Sequence, residues 1–228
     1  MENFVWNQAF GNSPGVDPSL PIGSGNTASC NSPESAPFTV DVASGRLMGS
    51  AGFSLAAQKY DLAVNYYYNG NSSENGEYGV SRSASVRSRI VSSTSSNRVT
   101  FQSGDLQNYG YDKVGTSGGV TTYTAVSDNG STATLSYDGS TFSQYYSNGM
   151  QFQYTSQGAG ADTFSLSKVV DAEGVAQTYV YGTGAESGLL KTIEVAGGRK
   201  VTFTYSASTP TSLVSSIEDW SGRRWTYQ

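Results

Sequence analysis

The sequence contains no histidine and only one cysteine, Cys30, among its 228 residues. Without histidine the chain cannot build a Ser-His-Asp triad, a histidine general base, or a histidine-ligated zinc or haem site. One cysteine permits neither an intrachain disulfide nor a cluster of thiolate ligands. We therefore expect a protein that is not an enzyme, with no catalytic residues, no metal site and no cofactor.

Charge and long apolar runs are also scarce. Charged residues make up 14% of the chain, against about 25% in an average soluble domain. The 13 Lys and Arg residues form no basic run, so we expect no groove for nucleic-acid phosphates. No apolar stretch approaches the roughly 20 residues that span a bilayer, so we expect no membrane span. A secretion signal is expected to lie outside this chain or to be absent.

Glycine, tyrosine and phenylalanine are abundant, with 27, 16 and 9 copies. Tyr, Phe, Val and Thr suit a pleated sheet, and Gly supplies the positive φ of tight turns. Apolar and polar residues alternate over 38–42 and 60–68, which is the period of half-buried strands. We therefore predict an all-β fold, in which only residues 50–59 and 84–92 could be helical.

Five of the six prolines fall within residues 1–37, among many Gly, Ser and Asn residues. Because proline fits poorly in a hydrogen-bonded sheet, this part is predicted to be a Pro/Gly/Ser-rich leader or linker. Either the leader is a disordered tail, or apolar residues such as Trp6 dock it against the rest. Residues 38–145 are then a β-rich segment that precedes repeats in residues 146–228.

The repeats are marked by four glycines spaced by 25, 24 and 24 residues, each followed five residues later by an aromatic residue. The glycines are Gly149, Gly174, Gly198 and Gly222, and the aromatic residues are Tyr154, Tyr179, Phe203 and Tyr227. A fixed period with one turn per unit predicts antiparallel β-hairpin repeats that pair with their neighbours. The product is a ribbon with a period of about 24 residues.

Equivalent columns of the repeat are expected to share one face of the ribbon, because the repeat preserves strand register. The predicted buried ladder contains Leu166, Val169, Leu190, Ile193, Phe203, Val214 and Ile217. The last three repeat glycines are predicted to lie in turns, at least some of them with a positive φ.

Two segments of this last third, Gly198–Tyr205 and Leu213–Tyr227, resemble RHS/YD repeats (rearrangement hotspot, tyrosine-aspartate repeats). The common form of these repeats is Gly-Arg-x-x-x-Tyr-x-Tyr-Asp, then Gly, then Leu-x-x-Ile. The aspartate of that form is absent here, because Gly182 follows Tyr181 and Ser206 follows Tyr205.

The upstream segments Val40–Met48 and Leu62–Gly70 are similar to the segment that often precedes such repeats. The resemblance therefore covers residues 38–228 and stops within a repeat. It implies a β-ribbon coiled into a partial β-shell, which in many bacterial members encloses a C-terminal toxin or lies on the cell surface. It implies that this chain is the non-catalytic start of such a shell, in a bacterial protein that is secreted or at the cell surface, and that its partner is the remainder of that shell.

Carboxylate pairs offer an alternative, a glycosidase that uses two acidic residues. The candidate pairs are Glu74/Glu77, Asp171/Glu173 and Glu218/Asp219. We interpret Asp171, Glu173 and Asp219 as turn residues, because they directly precede repeat glycines and their oxygens bind nearby backbone N–H groups. Glu74 and Glu77 are predicted to lie in a solvated loop, with a weak calcium site as the alternative.

Aromatic residues offer a second alternative, a carbohydrate-binding or adhesive module that recognises surface glycans. Neighbouring aromatic residues on a strand point to opposite faces, so one of each pair could be exposed as a stacking platform. The candidate residues are Tyr66, Tyr68, Tyr145, Tyr146 and Trp220. We favour the interpretation that these side chains are covered or line a shell wall.

The last strand, residues 224–228, has no following hairpin in this chain. It is therefore predicted to leave one edge unpaired, and it carries neither proline nor a charge near its end. We expect that another copy of the chain could cover this edge by strand addition, and that the leader could also pair there.

Overall fold

The computed structural model describes residues 2–3, 27–28, 38–41, 46–55, 61–92, 97–126, 133–157, 162–206 and 212–227. These residues contain no α-helix, only strands and the two single 3-10 turns Ser85–Arg87 and Gly184–Glu186. The all-β prediction is confirmed. The strands are β1 (Glu2–Asn3), β2 (Thr27–Ala28), β3 (Phe38–Asp41), β4 (Arg46–Leu55), β5 (Leu62–Asn69), β6 (Asn75–Gly76), β7 (Gly79–Val80), β8 (Arg82–Ala84), β9 (Arg89–Ser92), β10 (Arg98–Gln102), β11 (Asn108–Ser117), β12 (Val120–Ala125), β13 (Thr134–Tyr137), β14 (Thr141–Tyr145), β15 (Gln151–Ser156), β16 (Thr163–Val170), β17 (Ala176–Tyr181), β18 (Leu190–Val195), β19 (Arg199–Tyr205), β20 (Val214–Glu218) and β21 (Arg224–Thr226).

Neighbouring strands in the sequence are also neighbours in space. The largest sheet runs in chain order from β9 to β21, with antiparallel pairing throughout this run, and has β1 at its end. A five-stranded sheet has the order β2-β3-β4-β5-β8, and β6 and β7 form a separate hairpin. This meander follows from the frequent turn dipeptides, because a tight turn can connect only adjacent antiparallel strands.

Strands β9 to β16 close into an eight-stranded barrel, because β9 pairs with β16 as well as with β10. An interior of eight strands is just wide enough for side chains to fill it. Phe101, Tyr111, Phe142 and Tyr154 are buried members of the core cluster there. The sequence predicted a ribbon or partial shell and gave no sign of this closure.

Strand β16 is the point at which the ribbon of hairpins leaves the barrel. Its first residues, Thr163 to Ser165, pair with β9, whereas Lys168 to Val170 pair with β17. The hairpin turn at Gly149 joins β14 to β15, which are both barrel strands. The boundary predicted between residues 145 and 146 therefore lies inside the barrel sequence.

The repeat hairpins have equivalent registers. Opposite pairs join Val169 to Gln177 in the first unit, Ile193 to Val201 in the second, and Ile217 to Trp225 in the third. The predicted ladder is confirmed, since all seven residues are buried and belong to one core cluster: Leu166, Val169, Leu190, Ile193, Phe203, Val214 and Ile217.

The repeat glycines lie in turns with φ of +86° at Gly149, +85° at Gly174, +74° at Gly198 and +82° at Gly222. This part of the prediction is also confirmed. A side chain at such a φ costs roughly 1 kcal/mol or more. The turns therefore explain why glycine recurs at this column.

The tyrosine at the seventh position after the glycine has a repeated structural role. The hydroxyl of Tyr181 donates to the carbonyl oxygen of Leu166 at 2.8 Å, and that of Tyr205 to Leu190 at 2.7 Å. Each tyrosine follows a register shift in its strand. The bond ties each hairpin to the preceding unit at a point where the ladder is irregular.

The five-stranded sheet covers the end of the ribbon. The Phe53 ring stacks on Trp225 with centroids 4.1 Å apart, and the hydroxyls of Tyr66 and Tyr227 hydrogen-bond to each other. These contacts bury the aromatic column of the last unit against β4 and β5.

The described residues of the two segments that could be helical, 50–59 and 84–92, contain no α-helix. Residues 50–55 belong to β4, and Gly52 allows β5 to lie close, because a Cβ there would be 2.7 Å from the carbonyl oxygen of Val64. Residues 56–59 lie outside the described residues. In the second segment, the 3-10 turn Ser85–Arg87 leads into β9 without a side-chain cap.

The outer edge of β21 is not free. Glu2 and Asn3 pair in parallel with Trp225 and Thr226. The prediction of an unpaired edge is therefore wrong for Trp225 and Thr226. The chain's own N-terminal residues supply the missing strand. Of the predicted leader, the structure also describes β2, which pairs with β3, and the remaining leader residues lie outside the described residues.

Gly104 packs the β10–β11 loop against the 3-10 turn. An added Cβ would lie 2.5 Å from both the Ala84 carbonyl oxygen and the Ser85 Cα, which are backbone atoms. We predict that Gly104→Ala lowers the free energy of unfolding by about 1–3 kcal/mol through overpacking. Gly115→Ala is the matched control, because a Cβ at Gly115 meets nothing within 4 Å. Equal urea midpoints for the two variants would contradict this packing.

Candidate functional site

Two of the candidate acidic residues cap repeat turns. Oδ1 of Asp171 accepts hydrogen bonds from the N–H groups of Glu173 at 2.9 Å and Val175 at 2.8 Å. Asp219 binds the N–H groups of Ser221 and Arg223 in the same way, both at 2.9 Å. This confirms the turn interpretation of these aspartates. Glu173 is exposed in its turn, and Glu218 is exposed on β20.

The pKa of Asp219 reflects this capping role. Burial raises the pKa of the carboxyl, but the hydrogen bonds from Ser221 and Arg223 lower it more, so the net shift is downward. A carboxylate that is held ionised by its own turn is a poor general acid, because a general acid must be protonated near the working pH.

The other pair, Glu74 and Glu77, binds two arginines. Arg87 Nε donates to the two oxygens of Glu77 at 2.8 and 2.9 Å, and Arg87 Nη2 donates to Glu74 at 2.7 Å. Arg89 Nη2 donates to the other oxygen of Glu74 at 2.9 Å. We call these four residues the Arg–Glu cluster.

The prediction of a solvated loop is therefore wrong for Glu74 and Glu77, whose side chains are only 19% and 15% exposed. Both carboxylates bind guanidinium groups. Asn69 would be a further ligand in the calcium alternative, but its Oδ1 already accepts a hydrogen bond from the N–H of Asn71 at 3.1 Å. Among the described residues, no group of three or more acidic or cysteine side chains is arranged to hold a metal ion.

The Arg–Glu cluster lies where the three parts of the fold meet. Glu74 and Glu77 flank strand β6, and Arg89 belongs to barrel strand β9. The carbonyl oxygen of Glu77 also accepts from the N–H of Val214, at the start of ribbon strand β20, at 2.8 Å. The cluster thus joins the barrel, the ribbon and the loop that follows β5.

A cleft of about 280 Å³ opens beside the cluster, between β9, β16, β17 and the residues that follow the 3-10 turn at 184–186. It occupies the fork at which β9 and β17 separate from β16. Thr163, Ser165 and Ser187 line it with hydroxyl groups, and Val86 and Leu190 supply apolar wall. We call this feature the fork cleft.

The aromatic candidates lie on three different elements, β5, the end of β14 and the β20–β21 turn. Tyr66 is 4% exposed and is surrounded by Phe53, Tyr78 and Tyr227, so neither ring face is open to a sugar. For Tyr66 the favoured interpretation of a covered side chain is therefore confirmed, and the stacking alternative is wrong.

The other four candidates differ in exposure. Tyr146 packs against Phe152 with centroids 5.2 Å apart, and burial raises the pKa of its hydroxyl. Trp220 lies beneath the guanidinium of Arg199, 5.2 Å from the ring centroid. Tyr68 is half-buried, and Tyr145 is 45% exposed.

Comparisons with known proteins give similarity in fold alone. No protein-family model matches the chain, and no curated protein matches it. A solved structure of the N-terminal domain of effector protein SpvB from Salmonella typhimurium strain LT2 is 15% identical, with a TM-score of 0.46 over 70% of this chain and 76% of that one.

A second solved structure, the Tc holotoxin pore of Photorhabdus luminescens, is 12% identical with a TM-score of 0.50. The match covers 79% of this chain but spans only 13% of the holotoxin chain. The present fold thus resembles a small part of a much larger chain. The described residues include no helix that is long and apolar enough to cross a membrane.

Proposed function

We propose that the chain is a non-catalytic structural module, the start of an RHS/YD-repeat β-shell in a bacterial surface or toxin-encapsulating protein. The observation that carries the proposal is the shared strand β16, through which a closed barrel continues directly into hairpins of period 24. The fold similarity to part of the Tc holotoxin supports a toxin-related structural role. We further propose that the protein is secreted or located at the cell surface.

In this proposal the barrel is a closed end and the ribbon is the part that grows. A closed barrel has no strand edge to pair with another sheet, whereas the last strand of this ribbon is covered only by the two residues of β1. Each repeat adds one hairpin and buries its face against the previous unit. The partner is then the remainder of the same shell, or another copy of the chain, which pairs with β21 by strand addition in place of Glu2 and Asn3.

The positions of the carboxylates support a role without catalysis. Asp171 and Asp219 are occupied by turn N–H groups, and Glu74 and Glu77 by arginines. These groups stabilise turns and the junction of the three parts. These four carboxylates are thus engaged in structural contacts, which supports the proposal.

The experiment extends the ribbon by one period. A second copy of residues 205–228 is placed after Gln228, where it continues the repeat in phase. We expect the added hairpin to pair with β21 in place of Glu2 and Asn3, to gain protection from amide hydrogen exchange, and to raise the free energy of unfolding.

The control carries the same added residues in shuffled order, which keeps composition and length but removes the repeat columns. An added copy that exchanges as fast as the shuffled one would overturn the proposal that this ribbon is built to be extended. Both the chain with the in-phase copy and the chain with the shuffled copy are expected to sediment as monomers.

A further inference from the structure

The fork cleft is a partly open space beside the Arg–Glu cluster, and the structural role does not account for the way it is lined. Its volume of about 280 Å³ is close to the lower end of the range of small-molecule pockets, about 300–1,000 Å³. The size and polarity of the cleft therefore suit a small ligand.

The wall offers both donors and acceptors of hydrogen bonds. Thr163 and Ser165 lie two residues apart on β16 and so share a face, and Ser187 faces the cleft from the opposite loop. The hydroxyl of Ser187 is already bonded to the Gln157 carbonyl oxygen at 3.1 Å, which leaves its lone pairs as acceptors.

The arginines add donors that have no partner. Among the described residues, Arg87 Nη1 and Arg89 Nε are buried and lack a hydrogen-bond acceptor. A buried donor without a partner is unfavourable, because it has lost its hydrogen bond to water without gaining another. Arg87 and Arg89 both line the cleft, and a rotation of their side chains would be needed to turn these buried donors towards a ligand oxygen.

The charges around the cleft determine whether it favours a charged or a neutral ligand. Two arginines and two glutamates bring the formal charge of the cluster to zero, and Glu77 itself lines the cleft, where it repels an anion. The whole chain has a net charge of -5, which also disfavours anions. A neutral ligand whose groups both donate and accept fits this wall better.

We infer that the fork cleft binds a neutral saccharide unit, whose hydroxyls meet the arginine donors, the Glu77 carboxylate and the hydroxyls of β16. The apolar side chains of Val86 and Leu190 then face the C–H groups of the sugar ring. This site is separate from the exposed aromatic residues and goes beyond the structural role proposed above.

The test uses the full chain on an array of neutral and acidic oligosaccharides, followed by calorimetric titration of the strongest binder. The cleft-blocking variant is Ser187→Phe, since Ser187 is exposed on a loop and tolerates a large side chain without repacking the core. The matched control is Ser147→Phe, which places the same side chain in an exposed turn outside the cleft.

We expect a neutral saccharide to bind at millimolar concentration or below, Ser187→Phe to weaken it by about tenfold or more, and Ser147→Phe to leave it unchanged. Binding that survives Ser187→Phe, binding of acidic sugars or inorganic phosphate alone, or no binding at all would each overturn the inference. None of these outcomes bears on whether the ribbon can be extended.

Discussion

Replacement of Arg87 by methionine is expected to lower the free energy of unfolding by about 3–5 kcal/mol at neutral pH. Arg87 donates to both oxygens of Glu77 and to Glu74, and its side chain is only 14% exposed. Methionine keeps the aliphatic stem but leaves two largely buried carboxylates without their main partner. Urea denaturation of the two proteins measures the difference.

The matched control is Arg98→Met, which removes an arginine that pairs with Asp112 at the surface, where the two side chains are 56% and 48% exposed. Solvent screens such a pair, so no measurable loss is expected. A similar loss of unfolding free energy in both variants would show that burial of the Arg–Glu cluster does not strengthen its contribution to stability.

The same comparison has a pH dependence. Burial raises the pKa of Glu74, but Arg87 and Arg89 lower it more, so the net shift is downward from its ordinary value of 4.5. The pKa of Glu74 is therefore lower in the folded protein than in the unfolded chain. The stabilisation by the ion pairs is fully present above the unfolded pKa and is lost as the pH falls through the folded pKa. The difference between wild type and Arg87→Met should therefore shrink in acid. A difference that stays constant would contradict the ion-pair account.

Replacement of Gln144 by methionine is expected to destabilise the barrel by about 1–3 kcal/mol, because two buried hydrogen bonds are lost. Gln144 is fully buried, donates through Nε2 to the Tyr111 hydroxyl at 3.0 Å, and accepts from the Tyr154 hydroxyl at 3.0 Å. Methionine has nearly the same shape, so the loss reports on hydrogen bonding and not on a cavity. Urea denaturation is again the measurement.

A second substitution tests the cause of that loss. In the Gln144→Met background, Tyr154→Phe removes a hydroxyl that has already lost this partner, and should therefore destabilise less than it does in the wild type. Strictly additive losses would mean that Gln144 and Tyr154 act independently, in contradiction to the hydrogen bond between them.

The repeat hairpins were predictable because their determinants are local. Gly198 and Gly222 mark turns by their spacing, and Ile193 and Ile217 mark the core face by their distance from those glycines. Turn geometry and the alternation of side chains act within a few residues. Such features can be read from one sequence.

Barrel closure was not predictable in the same way. Pairing of β9 with β16 joins Val91 to Thr163, residues far apart in the chain, and no local pattern distinguishes this pair from two free edges. The Arg–Glu cluster did leave a signal. Arg87 and Arg89 are two residues apart, a spacing that places side chains on one face of an extended segment, and they follow two glutamates in a chain that is only 14% charged. Buried pairing was therefore a reasonable alternative to a solvated loop.

Closure between β9 and β16 is the central claim, and a disulfide tests it directly. Val91 and Thr163 lie opposite each other, and because the neighbouring Ser92 N–H donates to the Asp162 carbonyl at 2.7 Å, they form a non-hydrogen-bonded pair. Such a pair has Cα atoms about 4.5 Å apart, within reach of a disulfide. In an unclosed ribbon β9 and β16 would be separated by seven strand spacings of roughly 4.8 Å each, or about 34 Å.

The measurement is disulfide formation in the Val91→Cys/Thr163→Cys variant, made in a Cys30→Ser background and followed by mass spectrometry under mild oxidation. The control pair is Val91→Cys/Thr202→Cys, which places the second cysteine on ribbon strand β19. Closure predicts rapid and complete intramolecular oxidation of the first pair and none of the second. Free thiols, or only intermolecular disulfides, in the first pair would contradict the closed barrel.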